Sequence, residues 1–205
     1  MAVPILGITG GIATGKSTFA ALLSRLTGAQ LFDADHAARE LLDTDEKVRR
    51  QVRLTFGDGI FGPAGEPDRA GLRELVFADA EKRRALEAIL HPAIRERWVS
   101  LAAGARAAGS AGKWLAVDIP LLFETQSEGF FDAVIVVACR ASTQMERLLN
   151  NRKLDRDIAG KMISAQMGLE AKIAKARHVV WNDGPARAME EQAALLAARL
   201  KQHHG

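Results

Sequence analysis

The sequence contains no tyrosine and only one cysteine, Cys139. A lone cysteine excludes an internal disulfide, which suits a reducing compartment; the expected localisation is cytoplasmic. Aromatic residues make up 5% of the 205 positions and are not interleaved with basic runs. A base-stacking surface for nucleic acid is therefore not expected. No apolar run approaches the roughly 18 residues of a membrane-spanning helix. The N-terminus leads into a strand-like run without a basic segment, signal core or cleavage site, so no membrane partner is expected. His203-His204-Gly205 reads as a frayed tail, not a metal site.

The chain does carry 48% hydrophobic and 26% charged residues, with a net charge of +3. That balance fits one soluble globular core, or a core with an insertion, and small polyanionic ligands. Five apolar runs read as strands: Ile5–Thr9, Gln30–Phe32 ending at Asp33, Trp114–Val117 ending at Asp118, Ala133–Val137 and His178–Trp181. They are continuously apolar, as in a parallel sheet buried on both faces. Pro4 cannot donate to a ladder and belongs at its strand's start. Helix-like stretches lie between the strands: Lys16–Leu26, Asp35–Leu42, Ser142–Asn150, Asp155–Met167, Gly168–Arg177 and Pro185–Lys201. This alternation implies a doubly wound α/β fold.

About eighty residues separate the second strand from the third, too many for one crossover helix. They read as helices over Glu46–Thr55, Arg69–Phe77, Ala80–Leu90 and Ala93–Ala108, with a turn-rich loop from Gly57 to Pro67. A helical insertion over the strand ends is the expected arrangement. Ala102–Gly112 is a low-complexity Ala/Gly stretch, read as a helix end and surface loop.

Between the first strand and the helix after it stands Gly10-Gly11-Ile12-Ala13-Thr14-Gly15-Lys16-Ser17. It fits G-x-x-x-x-G-K-[ST] without mismatch, in the strand–turn–helix setting that gives this pattern meaning. Such a turn aims several backbone N–H groups at one spot and binds a polyphosphate. Lys16 is expected at the β- and γ-phosphates and Ser17 at Mg²⁺. The competing reading is a glycine turn that merely joins strand to helix.

Other residues offer chemistry, each beside a plainer role. Asp33 and Asp35 straddle a strand end and suit the carboxylate and metal tasks of phosphoryl transfer, while Asp35 could equally N-cap the next helix. Asp118 ends a strand as a metal-organising acid does, or bonds local turn amides. Ile119 to Glu124 leads from it into a loop, whose Leu121, Leu122 and Phe123 could be core. Arg140, Arg147, Arg152, Lys153 and Arg156 fall within seventeen residues. They suit a mobile lid that neutralises a transferring phosphoryl group, or a solvated helix face. At His91-Pro92 the proline reads as the first position of a helix, with His91 capping, packing or touching substrate. Asn182-Asp183-Gly184 reads as a turn that can border a nucleotide base. Cys139 reads as a strand-end thiol without a paired base.

Thr9-Gly10-Gly11-Ile12, Lys16-Ser17-Thr18, Asp33-Ala34-Asp35, Leu90-His91-Pro92, Pro120-Leu121-Leu122-Phe123-Glu124 and Asn182-Asp183-Gly184 occur in that order. Together they resemble the dephospho-CoA kinase family, over about residues 5 to 200. The resemblance implies a five-stranded parallel sheet like that of nucleoside monophosphate kinases, and ATP-dependent phosphorylation of the ribose 3′-hydroxyl of dephospho-CoA. It implies a nucleotide core over 1–36, 113–140 and 168–205, a helical CoA domain over 37–112 and a lid over 141–167. Asp35 becomes the expected general base, Lys16 and Arg152 catalytic, and Arg147 the competitor of Arg152. ATP falls to residues Gly10 to Thr18 with Asn182 and Gly184. Dephospho-CoA falls to Asp33, Arg39, Arg69, His91, Pro120 and Leu121, and Mg²⁺ to Ser17 and Asp118. The expected assembly is a monomer or weak homo-oligomer. The family commonly has Gly-Ser where this loop has Ala13-Thr14, and Ala13 is expected to hold an ordinary φ. Two other readings stay open: a P-loop kinase for another small acceptor, and a GTPase-like switch reading guanine through Asn151-Arg152-Lys153-Leu154-Asp155.

Overall fold

The computed structural model describes residues 4–107 and 114–204. Strands β1 (Ile5–Gly10), β2 (Gln30–Asp33), β3 (Leu115–Asp118), β4 (Ala133–Ala138) and β5 (His178–Trp181) form one parallel sheet. Their order is β2-β3-β1-β4-β5. β1 is therefore central, flanked by β3 and β4. Pro4 lies just before β1 and offers its carbonyl to the Leu115 N–H, so its missing donor costs no ladder bond.

Helices cover both sheet faces, and β4 shows why its run is apolar throughout. Ala133, Ile135 and Val137 join a core with Phe19 and Leu23 of α1 (Lys16–Thr27) and Met189 and Leu196 of α9 (Ala186–His204). Val134, Val136 and Ala138 face the opposite core, with Leu122, Phe123 and Ile173 of α8 (Leu169–Lys175). The period-2 alternation of a strand is thus spent on two apolar layers instead of one. Helices α6 (Ala141–Asn150) and α7 (Arg156–Ser164) complete this part of the chain.

The chain divides into two compact units, Met1–Asp33 with Ala102–Gly205, and Ala34–Leu101. The second unit contains α2 (Ala34–Thr44), α3 (Glu46–Phe56), α4 (Arg69–Ala78) and most of α5 (Ala80–Ala107). Its own core is built from Leu41, Val48, Val52, Ile60, Leu72 and Leu90. Asp45 and Asp68 cap α3 and α4 by accepting the N–H groups of Val48 and Gly71. The guanidinium groups of Arg49 and Arg53 lie 4.9 and 4.6 Å from the Phe61 ring centre, bracing the Gly57–Pro67 loop.

Two local expectations are corrected. Pro92 does not start a helix but stands inside α5. Pro92 and Ala88, whose carbonyl loses its helical partner there, are both exposed, whereas Leu90 and Trp98 are buried. Water can serve the freed carbonyl while the packed face holds the helix together. Asp35 is not an N-cap, since α2 already begins at Ala34 and carries Asp35 in its first turn. A carboxylate in that turn is favoured by the positive end of the helix dipole. The side chains of His203 and His204, Gly205, and residues 108–112 of the Ala/Gly stretch lie outside the described residues.

Candidate active site

β1 ends at Gly10, and the turn that follows is shaped by its carbonyls. Gly11 O accepts the Thr14 hydroxyl at 2.9 Å, and Ile12 O accepts Gln144 Nε2 at 2.8 Å. Ala13 O accepts Arg147 Nη1 at 3.1 Å, and Thr14 O accepts Asn182 Nδ2 at 2.8 Å. A trans peptide points its N–H opposite its C=O. Tying the Ile12 and Thr14 carbonyls to the surrounding protein therefore turns the N–H groups of Ala13 and Gly15 the other way, towards a shared anion cradle, while the Ile12 N–H goes to Gln166 and the Thr14 N–H to Gly11 O. Gly15 has φ +91°, and a Cβ there would meet Asn182 Nδ2 at 2.2 Å. Ala13 departs from the expected ordinary φ: it sits at φ +59°. The left-handed well costs a residue with a Cβ about 1 kcal/mol, and the pinned carbonyls on either side hold it there.

Lys16 and Ser17, at the start of α1, meet the end of β3. Ser17 Oγ donates to Asp118 Oδ2 at 2.9 Å. Lys16 Nζ lies 2.9 Å from Asp118 Oδ1, an ion pair whose direction misses hydrogen-bond geometry. Asp118 is 4% exposed and spends its carboxylate on these two residues, not on turn amides. Asp33 is its register partner on β2, so two acids end adjacent strands at the same, carboxyl end of the sheet. The hydroxyl of Ser17 and the carboxylate of Asp118 are hard oxygen donors of the kind Mg²⁺ takes, and they could hold one beside a bound phosphate chain. No cluster of three or more His, Cys, Asp or Glu suited to a metal occurs among the described residues. Mg²⁺ bound largely through phosphate needs none.

The loop after Asp118 is held from beneath. Pro120 O accepts Thr9 Oγ1 at 3.2 Å and Lys172 Nζ at 3.0 Å. Lys172 is fully buried and pairs with Glu124 Oε1 at 2.9 Å, which also accepts the Met167 N–H at 2.9 Å. Leu121 O accepts the Thr125 N–H and hydroxyl, while Leu122 and Phe123 are core.

Arg147 and Arg152 separate clearly. Arg147 bridges Ala13 O and Asn182 O, the latter at 2.8 Å, and so holds the loop. Arg152 is exposed on the turn between α6 and α7. In the same turn Asp155 N-caps α7, accepting the Asp157 N–H at 2.7 Å. The Asn151–Asp155 stretch is thus a capped helix connection, which removes it as a guanine reader. Asn182 stands one residue past β5, with Gly184 beyond it, and Asp183 accepts the Arg140 N–H at 3.0 Å. Burial pushes the Cys139 thiol up to about 11, against a lowering by Arg147. It is a strand-end thiol kept protonated.

The first unit therefore brings together Gly10 to Thr18, Asp33, Asp118, Pro120, Arg147 and Asn182. Asp35, Arg39, Arg69 and His91 belong to the second unit. Asp35 and Arg39 are exposed on α2 one helical turn apart, and Arg69 pairs with Asp43 of the same helix. His91 stands in mid-α5, where burial lowers its pKa below 6.5, Glu87 raises it and Arg95 lowers it further.

Sequence reasoning missed Gln144, Gln166 and Lys172. For Gln144 and Lys172 the signal is a polar residue on an apolar stripe. Gln144 shares the buried face of α6 with Leu148, and Lys172 falls among Leu169, Ile173 and Ala176 at helical spacing.

Comparison with known proteins agrees with this geometry. The family model described as dephospho-CoA kinase matches residues 4–188. Over 201 residues the chain is 40% identical to the dephospho-CoA kinase of Anaeromyxobacter dehalogenans, covering 98% of this chain and 94% of that one. It is likewise 40% identical to the dephospho-CoA kinase of Geobacillus kaustophilus, covering 96% and 95% of the two chains. A Thermus thermophilus protein of known structure superposes with a TM-score of 0.79 at 31% identity, with both chains covered in full. The strand order, the phosphate-binding turn and these matches lead to one conclusion: the chain belongs to the dephospho-CoA kinase family.

Proposed function

We propose that this chain transfers the γ-phosphoryl group of ATP to the ribose 3′-hydroxyl of dephospho-CoA, giving coenzyme A and ADP, in the cytoplasm. The observation that carries the donor half is the pair of tied carbonyls at Ile12 and Thr14, which turns the Ala13 and Gly15 N–H groups towards a phosphate chain. Family membership carries the acceptor half.

Residues Gly10 to Thr18 bind the ATP phosphates, with Asn182 and Gly184 beside the nucleotide. Lys16 supplies positive charge at the β- and γ-phosphates. Ser17 and Asp118 would hold Mg²⁺, which neutralises charge on the phosphates when bound. Asp35 accepts the proton of the 3′-hydroxyl as that oxygen attacks phosphorus, and Asp33 orients it. Arg39, Arg69, His91, Pro120 and Leu121 position dephospho-CoA. The helical segment 37–112 receives it, and segment 141–167 closes as a lid. Arg152, exposed on that segment, stabilises the transferring phosphoryl group, while Arg147 keeps the loop in shape. Little covalent work is required of the protein, because placement and charge stabilisation dominate phosphoryl transfer.

The test is an ADP-release assay with dephospho-CoA, followed by phosphorus NMR of the product. Stoichiometric ADP and a new 3′-phosphomonoester are expected. Phosphorylation of a different small acceptor, with dephospho-CoA untouched, overturns the reading.

A further inference from the structure

Two glutamines outside the phosphate-binding pattern grip opposite polar groups of Ile12. Gln144 of α6 donates Nε2 to Ile12 O at 2.8 Å. Gln166, between α7 and α8, accepts the Ile12 N–H on Oε1 at 2.9 Å. The amide orientations follow from the partners, since a carbonyl requires the NH₂ end and an N–H requires the oxygen. Each contact fixes one of the two peptide planes that meet at Ile12.

The fixed planes have consequences on both sides. With Ile12 O held by Gln144, the N–H of Ala13 in the same peptide points away from α6. With its own N–H taken by Gln166, Ile12 offers no donor to a ligand. Gly11 makes room for the grip, because a Cβ there would come within 2.4 Å of Gln144 Nε2. The grip is anchored further out. Met167, next to Gln166, donates to Glu124, whose partner Lys172 holds Pro120 O, and Pro120 O takes the Thr9 hydroxyl two residues before Gly11. The ring closes on the phosphate-binding turn itself.

We propose that Gln144 and Gln166 are positioning residues for the ATP phosphate chain: they set the peptide planes around Ile12 so that the anion cradle begins at the Ala13 N–H. This rests on the reading that the turn binds ATP. The two sites need opposite chemistry, a donor at 144 and an acceptor at 166.

Crossed substitutions in the full chain test this, with the ATP Kd read by equilibrium binding, which needs no acceptor. Gln144→Met and Gln166→Met each remove one contact at near-constant shape. Gln144→Glu and Gln166→Glu add the same charge near the same peptide. Only Gln166→Glu keeps the contact its position needs. Each methionine variant is expected to weaken ATP about three- to tenfold. Glutamate is expected to bind ATP better than methionine at 166 and worse than methionine at 144. Melting temperatures without nucleotide identify folded variants, and the KM for dephospho-CoA is expected to stay within about twofold of the parent chain. The same rank order at both positions, or ATP affinities equal to the parent's, overturns the proposal. Loss is then a matter of charge or of nothing. If the parent chain binds ATP but leaves dephospho-CoA unphosphorylated, the acceptor assignment fails while this test stands. If the parent does not bind ATP, both fail.

Discussion

Ser17 Oγ donates to Asp118 Oδ2 at 2.9 Å, joining the last residue of the phosphate-binding pattern to the acid that ends β3. The pair is expected to share one Mg²⁺. Asp118→Asn keeps the shape and removes the charge. It should raise the Mg²⁺ concentration for half-maximal turnover about tenfold and lower kcat about a hundredfold. A Mg²⁺ titration at saturating ATP is the measurement, and an unchanged midpoint would detach Asp118 from the metal.

Asp35 lies in the first turn of α2, exposed. In its proposed role as proton acceptor for the 3′-hydroxyl it would act in the transition state and not in ATP binding. Asp35→Asn should lower kcat about 10²- to 10⁴-fold, with the ATP Kd within about twofold of the parent's. Steady-state kinetics paired with nucleotide binding separate the two effects. Equal losses in both would make Asp35 a structural or metal residue.

Lys172 is wholly buried against Glu124. Removing one member of a buried ion pair leaves the other uncompensated, so Lys172→Met should cost about 3 kcal/mol in urea unfolding. The double variant Lys172→Met with Glu124→Gln should recover most of that, because it removes both charges and keeps an acceptor for Met167. A double variant no more stable than the single one would refute this account.

His91 has its pKa lowered in the folded chain, first by burial. Below about pH 6.5 the unfolded chain takes up a proton there that the folded chain resists. Stability on this account falls as pH drops from 6.5 towards the lowered folded value, and is flat above 6.5. His91→Gln should therefore flatten the acid side of a melting-temperature profile. Parallel profiles for the two proteins below pH 6.5 would exclude the effect.

Much of this was legible from the sequence for definite reasons. The three inner strands announced themselves because a sheet covered on both faces needs unbroken apolar runs, as β4 does with Ala133–Ala138, whereas the edge strands β2 and β5 leave most of their residues exposed or half-buried. The phosphate-binding turn is a local pattern, so its place was readable. Its support is not local. Gln144, Gln166 and Lys172 lie 132, 154 and 52 residues from the atoms they hold, and pairwise contacts at such separation leave no spacing to read. Pro92 misled for a related reason: a proline's usual boundary role is a local rule, overridden when one helix face packs and the other is wet. The left-handed φ of Ala13 was hidden too, because alanine does not advertise it as glycine would.

The central position of β1 sets an order of assembly. Its partners β3 and β4 begin at Leu115 and Ala133, and α1 packs with residues of α9, which begins at Ala186. A chain made from its N-terminus thus emits β1 about a hundred residues or more before the strands that flank it. The segment Ala34–Leu101 is continuous and carries its own core. It has what it needs to collapse while β1 is still waiting. β1 is made well before the strands that complete its ladders, and a ribosome-bound chain stalled before β3 has no parallel sheet around its phosphate-binding turn.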